Sequence, residues 1–308
     1  MTPILKIENL SHRYTNSWAI REINMEIEQT GIVGLLGSNG AGKSTTMNII
    51  CGALNQTEGR VLINGYDTRE AREQAKRELG FLPQTPPLYT DLTIDEYLIY
   101  TAELRLMEKD KVKKAVAEVK EKCGLTHFSS RLLRNLSGGY RQRVGIAQSI
   151  IHKPRLVVMD EPTTGLDPNQ LIEARKLIKE IAQDCTVLIS SHLLSEIQLL
   201  CRDVIMIEAG RIVFSDTMDA FDNYVQPHSV LVRLENMPGI DELQAIPGIT
   251  KADYLTDKQV RLYFDGDASI TEKIVAASIQ QGWQLREISL DKSQLDDTFK
   301  QLSTQSHS

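Results

Sequence analysis

A glycine-rich loop directly after a short apolar run limits the architectures open to this chain. Residues 32–36 read IVGLL, and residues 37–45 read GSNGAGKST, which fits the pattern G-x-x-x-x-G-K-[ST]. Glycines let the backbone curl so that successive N–H groups converge on phosphate oxygens, and a helix start adds its positive end. The pattern predicts a phosphate-binding loop between a buried strand and a helix. A glycine-rich turn without a ligand is the alternative.

The loop also predicts individual contacts with a nucleotide. Lys43 is expected to place its charge on the β- and γ-phosphates, and the Ser44 hydroxyl is the expected magnesium ligand. The residues expected to bind nucleotide here are Gly37, Ser38, Asn39, Gly40, Ala41, Gly42, Lys43, Ser44 and Thr45.

Apolar patterning favours an α/β fold around this loop. Residues 23–27 alternate between apolar and polar side chains, as in an antiparallel strand with one solvated face. Short continuous apolar runs are typical of strands buried on both faces of a parallel sheet, and they occupy 32–36, 156–159 and 187–189. Helical spacing of apolar residues recurs at 93–107, 110–123 and 170–183. Strands that alternate with helices indicate an α/β domain.

Two further divisions of the chain follow from the patterns. Helical patterns succeed one another without a strand before residue 150, so we expect an inserted helical subdomain at about 85–150. Near Gln226-Pro227-His228 the pattern changes, which predicts a first domain over 1–225 and a small α+β domain over 229–308. A closing helix is expected near 292–302.

Composition excludes several classes of protein. The 308 residues carry a formal net charge of −6, which disfavours a general nucleic-acid binder because duplex binding needs a clear basic footprint. No apolar run approaches the ~18 residues of a spanning helix, and the start shows no secretory signal. We therefore expect a cytoplasmic protein that reaches a membrane only through a partner. The four cysteines lack metal-ligand or C-x-x-C spacing and are expected to be separate reduced thiols.

Two acids end the apolar run LVVM at 156–159. The carboxyl end of a central parallel strand is where ligands of open α/β sheets bind. Asp160 is expected to hold magnesium through water, and Glu161 is expected to act as the base that polarises the attacking water. A strand that simply ends in solvated charges is the alternative.

A second anion site is suggested by LSGGYRQR at 136–143. Ser137 occupies an expected N-cap position, and Gly138 and Gly139 expose N–H groups at the start of a helical stretch. From these residues alone, a plain capped helix is the favoured interpretation.

Taken in order, these motifs resemble the nucleotide-binding subunit of an ABC transporter. The glycine-rich loop, LSGGYRQR, LVVMDEP and GLD at 165–167 follow one another, and Gln84 in FLPQ and His192 in SSH complete the set. The resemblance covers residues 4 to about 215. It implies a P-loop NTPase core of the RecA-like kind, with an antiparallel β subdomain and an inserted helical subdomain, followed here by the C-terminal α+β domain.

The resemblance implies further contacts with ATP and Mg²⁺. Tyr14 is similar to the aromatic residue that stacks on adenine, although a core tyrosine is the alternative. Gln84 resembles the residue that reaches magnesium and senses the γ-phosphate. His192 resembles the histidine that contacts the γ-phosphate, and an ordinary surface histidine is the alternative. The implied reaction is hydrolysis of ATP to ADP and phosphate, with Glu161, His192 and Gln84 as its catalytic residues.

The resemblance also implies a second chain. In ABC proteins, residues matching Ser137, Gly138, Gly139 and Asp167 bind ATP held by the opposite subunit, so two chains pair head to tail around two ATP molecules. The implied partners are an identical or related ATPase and an integral-membrane permease, with no nucleic acid. This places the expected location at the cytoplasmic face of the membrane.

Several functions remain open within the family. The stretch YRQRVGIAQSIIHKP, the stretch DEPTTGLDPNQ and the ending SQLDDTFKQL are similar to ATPases paired with short ABC-2 type exporter permeases. An importer subunit is the alternative. A soluble ABC ATPase acting on nucleic acid or ribosomes is another, and a regulatory subunit without turnover is a third. Only 94 residues separate Lys43 and Ser137, which leaves no room for the long insertions of DNA-repair members.

Overall fold

Three β-sheets organise the part of the chain that the computed structural model describes. The described residues are 2–224, 229–265 and 269–290. The chain divides into two compact units between Met218 and Asp219. The sequence predicts this boundary a few residues later, in the segment 225–228. That segment lies outside the described residues.

An antiparallel sheet forms the first layer of the N-terminal unit. In spatial order its strands are β2 (Ser17–Ile27), β1 (Leu5–Tyr14), β4 (Glu58–Ile63) and β5 (Tyr66–Asp67). The predicted alternation is confirmed, since Ile23, Met25 and Ile27 are buried while Asn24 and Glu26 are exposed. One face of this sheet therefore supplies core and the other faces solvent.

A six-stranded sheet forms the second layer. In spatial order its strands are β10 (Arg211–Thr217), β9 (Asp203–Glu208), β3 (Gly31–Leu36), β8 (Thr186–Ser191), β7 (Leu156–Met159) and β6 (Leu79–Leu82). All neighbours are parallel except the β9–β10 hairpin. The predicted buried runs are confirmed as β3, β7 and β8, and every residue of β7 and β8 is buried.

Seven helices of this unit connect or cover the strands within the described residues. They are α1 (Lys43–Ile50), α2 (Arg72–Arg77), α3 (Ile94–Leu104), α4 (Lys109–Lys122), α5 (Gly138–Ile150), α6 (Pro168–Ile181) and α7 (Leu194–Leu200). The helix α3 begins with a capping box in which the Thr93 hydroxyl accepts from the Glu96 amide and the Glu96 carboxylate accepts from the Thr93 amide. The helices α3, α4 and α5 fill the predicted helical stretch, with no strand among them.

Side chains of both sheets and of α1 share one core. Leu5 and Val61 of the antiparallel sheet, Leu188 and Ile205 of the parallel sheet, and Met47 of α1 all belong to it. Packing through this core fixes the glycine-rich loop, which joins β3 to α1, against both sheets.

The second unit, Asp219–Ser308, has its own antiparallel sheet and core. The helix α8 (Met218–Tyr224) begins at the boundary between the units. After it, the described elements are β11 (Ser229–Leu234), α9 (Ile240–Gln244), β12 (Ile249–Thr256), β13 (Gln259–Phe264), α10 (Ile270–Gln281) and β14 (Leu285–Leu290). The strand order β12-β13-β11-β14 with this chain order is the split β-α-β arrangement of ferredoxin-like domains. The closing helix expected near 292–302 lies outside the described residues.

Among residues 2–224, 229–265 and 269–290, no helix is both long enough and apolar enough to cross a bilayer. The four cysteines are free and buried, as expected for separate thiols.

Candidate nucleotide-binding site

The carboxyl ends of four adjacent parallel strands bring the predicted residues to one edge of the sheet. The glycine-rich loop follows β3, His192 follows β8, Asp160 and Glu161 follow β7, and Gln84 lies two residues beyond β6. These strands are neighbours in the order β3-β8-β7-β6, so segments far apart in sequence meet at one crevice. This edge is where open α/β sheets bind ligands.

Glycines allow the loop 37–42 to pass close to the end of β9. A Cβ atom on Gly37 would lie 2.4 Å from the carbonyl oxygen of Ile207, which excludes any side chain there. Gly42, directly before α1, has a φ of 110°, in the left-handed region that favours glycine. The loop therefore curls tightly before the helix begins, as the sequence motif predicts.

Lys43 lies at the first position of α1 and is buried. Its ammonium donates to the carbonyl oxygens of Gly37 at 2.8 Å and Ser38 at 3.0 Å, so it spans the mouth of the loop. Burial lowers the pKa of Lys43, while the negative charges of Glu161, Asp160 and Glu208 act in the opposite direction. The two hydrogen-bond acceptors of this ammonium are thus neutral carbonyl oxygens of the loop. Ser44, next in the helix, is exposed.

A serine on β8 holds the two acids that follow β7. The Ser190 hydroxyl donates to Asp160 Oδ1 and accepts the backbone N–H of Glu161 at 2.9 Å. Asp160 is only 7% exposed, so this hydroxyl satisfies a carboxylate that has little access to water. The second oxygen of Asp160 is left for a ligand at the sheet edge.

The Glu161 carboxylate accepts hydrogen bonds from three different segments. His192 Nδ1 lies 2.9 Å from Oε1, while Thr164 Oγ1 at 3.0 Å and Gln84 Nε2 at 3.3 Å donate to Oε2. Glu161 has a φ of 46°, an uncommon backbone conformation for a residue with a side chain. These contacts fix the carboxylate at the centre of the site, between the residues that follow β6, β7 and β8.

The LSGG segment, residues 136–139, lies at the start of α5 and does not follow a strand of the parallel sheet. Ser137 holds the N-cap position, yet its hydroxyl makes no capping hydrogen bond in the described structure. Gly138 faces open space, and a Cβ on Gly139 would lie 2.5 Å from the Gln170 side chain. Ser137 therefore has the backbone conformation of the predicted N-cap without the side-chain hydrogen bond that usually accompanies it.

Asp167 caps the helix α6. Its Oδ1 accepts the N–H groups of Asn169 at 3.1 Å and Gln170 at 3.0 Å. The Gln170 side chain fills the space that a Cβ on Gly139 would occupy, so the first turn of α6 lies next to the LSGG segment. The structure thus brings the second predicted group of residues together as well.

Tyr14 ends β1 and is 50% exposed. Its ring meets the edge of His12 at a centroid distance of 4.7 Å, which leaves much of the ring open to solvent. This exposure agrees better with a stacking surface for a planar ligand than with a core tyrosine.

The sequence interpretation missed three residues that hold the site. Ser190 and Thr164 contact the acids after β7, and Glu208 at the end of β9 binds Ser38 of the loop. A hydroxyl at the end of an apolar strand run, as in LISSH, is the signal that could have pointed to Ser190. Glu208 has no local signal, because its partner lies 170 residues away.

Comparison with known proteins places the chain among related sequences. Residues 20–164 match the ABC transporter domain family. A linearmycin resistance ATP-binding protein of Bacillus subtilis is 30% identical over 90% of both chains. A bacitracin transport ATP-binding protein of Bacillus licheniformis is 36% identical over 69% of each.

Solved structures give the same picture for the fold. The structure of an ATP-binding subunit of an ABC transporter is 27% identical, with a TM-score of 0.66 over 72% of this chain and 92% of that one. A dimeric ATP-binding cassette in a post-hydrolysis state with ADP and Pi is 25% identical, with a TM-score of 0.62 over 70% and 98%. The predicted P-loop fold is confirmed by these likenesses.

Proposed function

The chain belongs to the ABC transporter family as an ATP-binding, ATP-hydrolysing subunit, and from this premise we propose what each part of its site does. The observation that carries the proposal is the Glu161 carboxylate, held by Gln84, Thr164 and His192 beside the phosphate-binding loop. ATP lies with its phosphates in the loop 37–45 and its adenine against Tyr14. The energy of its hydrolysis drives a membrane permease.

The oxygen donors at the sheet edge fit Mg²⁺. The Ser44 hydroxyl, the second carboxylate oxygen of Asp160 and the side-chain oxygen of Gln84 are hard oxygen donors of the kind that this ion prefers, and they would hold it. Bound there, Mg²⁺ neutralises charge on the β- and γ-phosphates. These residues hold the ion and nucleotide, while Lys43 supplies a second positive charge to the same oxygens.

Glu161 is the general base in this proposal. A water oxygen attacks the γ-phosphorus, the bond from that phosphorus to the ADP oxygen breaks, and a water proton passes to the carboxylate. His192 and Gln84 form hydrogen bonds with this carboxylate. They are therefore placed to exchange this contact for the γ-phosphate when ATP arrives, which couples the strand-end loops to the state of the nucleotide.

We further propose a head-to-tail pair of chains. Ser137 has a hydroxyl without a capping partner in its own helix, Gly138 is open, and Asp167 caps the neighbouring helix α6. These features support binding of the γ-phosphate held by the opposite chain. ATP then becomes part of the interface, so binding closes the pair and hydrolysis opens it.

The relatives support an exporter rather than an importer. One relative is described as a linearmycin resistance protein, and others as bacitracin and lantibiotic transport proteins. Removal of a toxic compound from the cell is the simplest basis of resistance. The permease, as the partner that selects the cargo, determines which compound is moved.

A groove beside α3 is the proposed contact surface for the permease. A cavity of about 550 Å³ is lined by Tyr89, Tyr100, Leu104 and Leu106, among others. Tyr89 is 57% exposed and packs edge-on against Tyr100 at 5.5 Å. Exposed aromatic and apolar side chains around a groove are typical of a docking surface for an amphipathic helix.

A trapped complex tests the proposed function. Tagged Glu161→Gln protein, incubated with ATP and Mg²⁺, is purified from detergent-solubilised membranes, and its partners are identified by mass spectrometry. We expect an integral-membrane protein to co-purify. The matched control carries Tyr89→Arg in addition and should recover less of that partner, because the substitution places a charge on the proposed permease surface. Recovery of ribosomal or DNA-bound proteins instead would contradict the transporter role.

A further inference from the structure

The turn between β9 and β10 carries a buried carboxylate that binds the phosphate-binding loop. Glu208, the last residue of β9, is 6% exposed. Its Oε1 accepts the Ser38 hydroxyl at 2.9 Å, and its Oε2 accepts the Ser38 backbone N–H at 3.4 Å. The carboxylate thus engages both donors of the second residue of the loop.

The same turn holds the loop a second time and joins it to β2. The N–H of Gly210 donates to the Ala41 carbonyl at 2.9 Å, and the Gly210 carbonyl accepts from the Arg21 N–H at 2.8 Å. A Cβ on Gly210 would lie 2.6 Å from the Ala19 carbonyl, so the turn is wedged between the loop and β2. The strand β2 pairs with β1, which ends at Tyr14.

Ser38 extends this contact to the loop's lysine. Its carbonyl oxygen accepts from Lys43 Nζ at 3.0 Å, so Glu208, Ser38 and Lys43 form one chain of hydrogen bonds. Hydrogen bonds to a charged group are stronger than neutral ones, and a buried carboxylate without partners is costly. The carboxylate therefore restrains the curvature of the loop.

Two electrostatic effects oppose each other at Glu208, because its charge favours the Lys43 ammonium and disfavours a polyphosphate. A buried negative charge next to a site for a polyphosphate repels the ligand at short range. The two hydrogen bonds that hold the curvature of the loop are the effect that offsets this repulsion. A loop already curled before ATP arrives loses less conformational entropy when it binds.

We propose that Glu208 is a positioning residue that pre-forms the phosphate-binding loop through Ser38 and so sets the affinity for ATP rather than the rate of hydrolysis. The inference rests on the proposed function, because it takes the loop 37–45 as the ATP site. It assigns a role to a residue outside the motifs that identify the family.

The test compares Glu208→Ala with Glu208→Gln in the full chain. Kd is measured by titration with a fluorescent ATP analogue, and KM and kcat from phosphate release. Glu208→Ala is expected to raise Kd and KM about tenfold and to leave kcat within about twofold, since it removes two hydrogen bonds to a charged acceptor. Glu208→Gln is expected to keep Kd at or below the wild-type value, because its amide still pairs with Ser38 and its charge is gone.

Two further variants keep the inference testable. Ser38→Ala leaves Glu208 without its hydroxyl donor and should also raise KM for ATP, so it replaces Glu208→Ala if that variant does not fold. Asp67→Asn is the matched control, because Asp67 is an equally buried carboxylate that binds Arg60 and two backbone N–H groups at the far edge of the antiparallel sheet. Its KM should stay at the wild-type value.

Three results would overturn the inference. One is a wild-type KM in both Glu208→Ala and Ser38→Ala. Another is an equal fall in the Kd for ATP in Glu208→Ala and Glu208→Gln, which would mean that Glu208 affects binding only by repelling the phosphates. The third is a rise in KM for Asp67→Asn as large as that for Glu208→Ala. Failure of the proposed function is distinct, because wild-type protein would then show no ATP hydrolysis to compare.

Discussion

At the scale of single residues, the two acids of the site differ in the number of side chains that hold them. The Glu161 carboxylate is bound by side chains from three segments, whereas the buried Asp160 is bound by Ser190. The two neighbours differ accordingly in what they can do. In the proposed function, Glu161 exchanges its partners when ATP binds, while Asp160, oriented by Ser190, is the carboxylate that would hold Mg²⁺.

Glu161→Gln should separate binding from hydrolysis. The amide cannot take a proton from water, so phosphate release should fall about 100-fold or more, while Kd for ATP changes little. Phosphate release and nucleotide titration measure the two effects. Thr164→Ala is the control, because it removes one hydrogen bond to the same carboxylate and keeps the base; its turnover should fall far less. Unchanged turnover in Glu161→Gln would show that the base is wrongly assigned.

Ser190→Ala should weaken the response to magnesium. Removing the hydroxyl frees the orientation of Asp160, and loss of such supporting contacts typically costs about 10–100-fold in metal affinity. The Mg²⁺ concentration that gives half-maximal phosphate release should rise accordingly, with less change at saturating Mg²⁺. Ser190→Thr keeps a hydroxyl and should restore the wild-type midpoint. Equal midpoints for wild type and Ser190→Ala would exclude this role.

At the scale of elements, the N-cap residues of α5 and α6 differ in whether they cap their own helix. Asp167 caps α6 within its own chain, whereas Ser137 stands at the start of α5 without capping it. Asp167 therefore has a structural role that any good N-cap residue could fill. Its proposed contact with the opposite chain is a separate property of the carboxylate.

Asp167→Ser and Asp167→Ala distinguish those two roles. Serine can still accept from Asn169 and Gln170, so the free energy of unfolding should stay near wild type, while alanine should lower it by about 1 kcal/mol. Both variants should lose ATP hydrolysis if the carboxylate acts between chains. Urea denaturation and phosphate release check the prediction. Full activity in Asp167→Ser would limit Asp167 to capping.

The groove beside α3 gives a prediction at the same scale. Tyr89→Arg places a charge on the proposed permease surface, so coupling to transport should fall while basal hydrolysis by the purified chain is kept. Permease-stimulated and basal phosphate release are the measurements. An equal loss of both rates would mean that Tyr89 supports the fold of the helical subdomain instead.

Sequence patterns predicted these elements to different degrees. The loop 37–45 and the acids after β7 are local patterns, so their positions could be predicted from neighbouring residues alone. The roles of Ser190 and Glu208 depend on which strands lie side by side, with partners 30 and 170 residues away. Sheet order is set by long-range packing, which no short pattern in the chain encodes.

At the scale of the whole molecule, one carbonyl joins the helical stretch to the parallel sheet. The Leu79 oxygen at the start of β6 accepts from Arg105 of the α3 end at 3.0 Å and lies 2.9 Å from His152 Nε2, just beyond α5. Burial, with a smaller contribution from the Arg105 charge, lowers the pKa of His152 from 6.5 to about 4. The folded chain therefore holds this ring neutral.

His152 should make the fold sensitive to mild acid. Its folded pKa lies below its unfolded one, so the unfolded chain binds a proton first, and stability present above pH 6.5 is lost as the pH falls towards 4. The loss should approach about 3 kcal/mol. His152→Gln keeps a donor for Leu79 and should remove this part of the pH dependence. The assignment would be contradicted if the free energy of unfolding, measured by urea denaturation, changed with pH in the same way for both proteins.

The most direct test of the shared ATP site mixes two inactive variants. Lys43→Ala disables the phosphate-binding loop, and Ser137→Glu places a negative charge where the opposite γ-phosphate is proposed to bind. A mixed pair contains one site with both defects and one intact site. Equal mixing should therefore restore about a quarter of wild-type phosphate release, since half of the pairs are mixed. Phosphate release that stays at the level of either variant alone would contradict a site built from two chains.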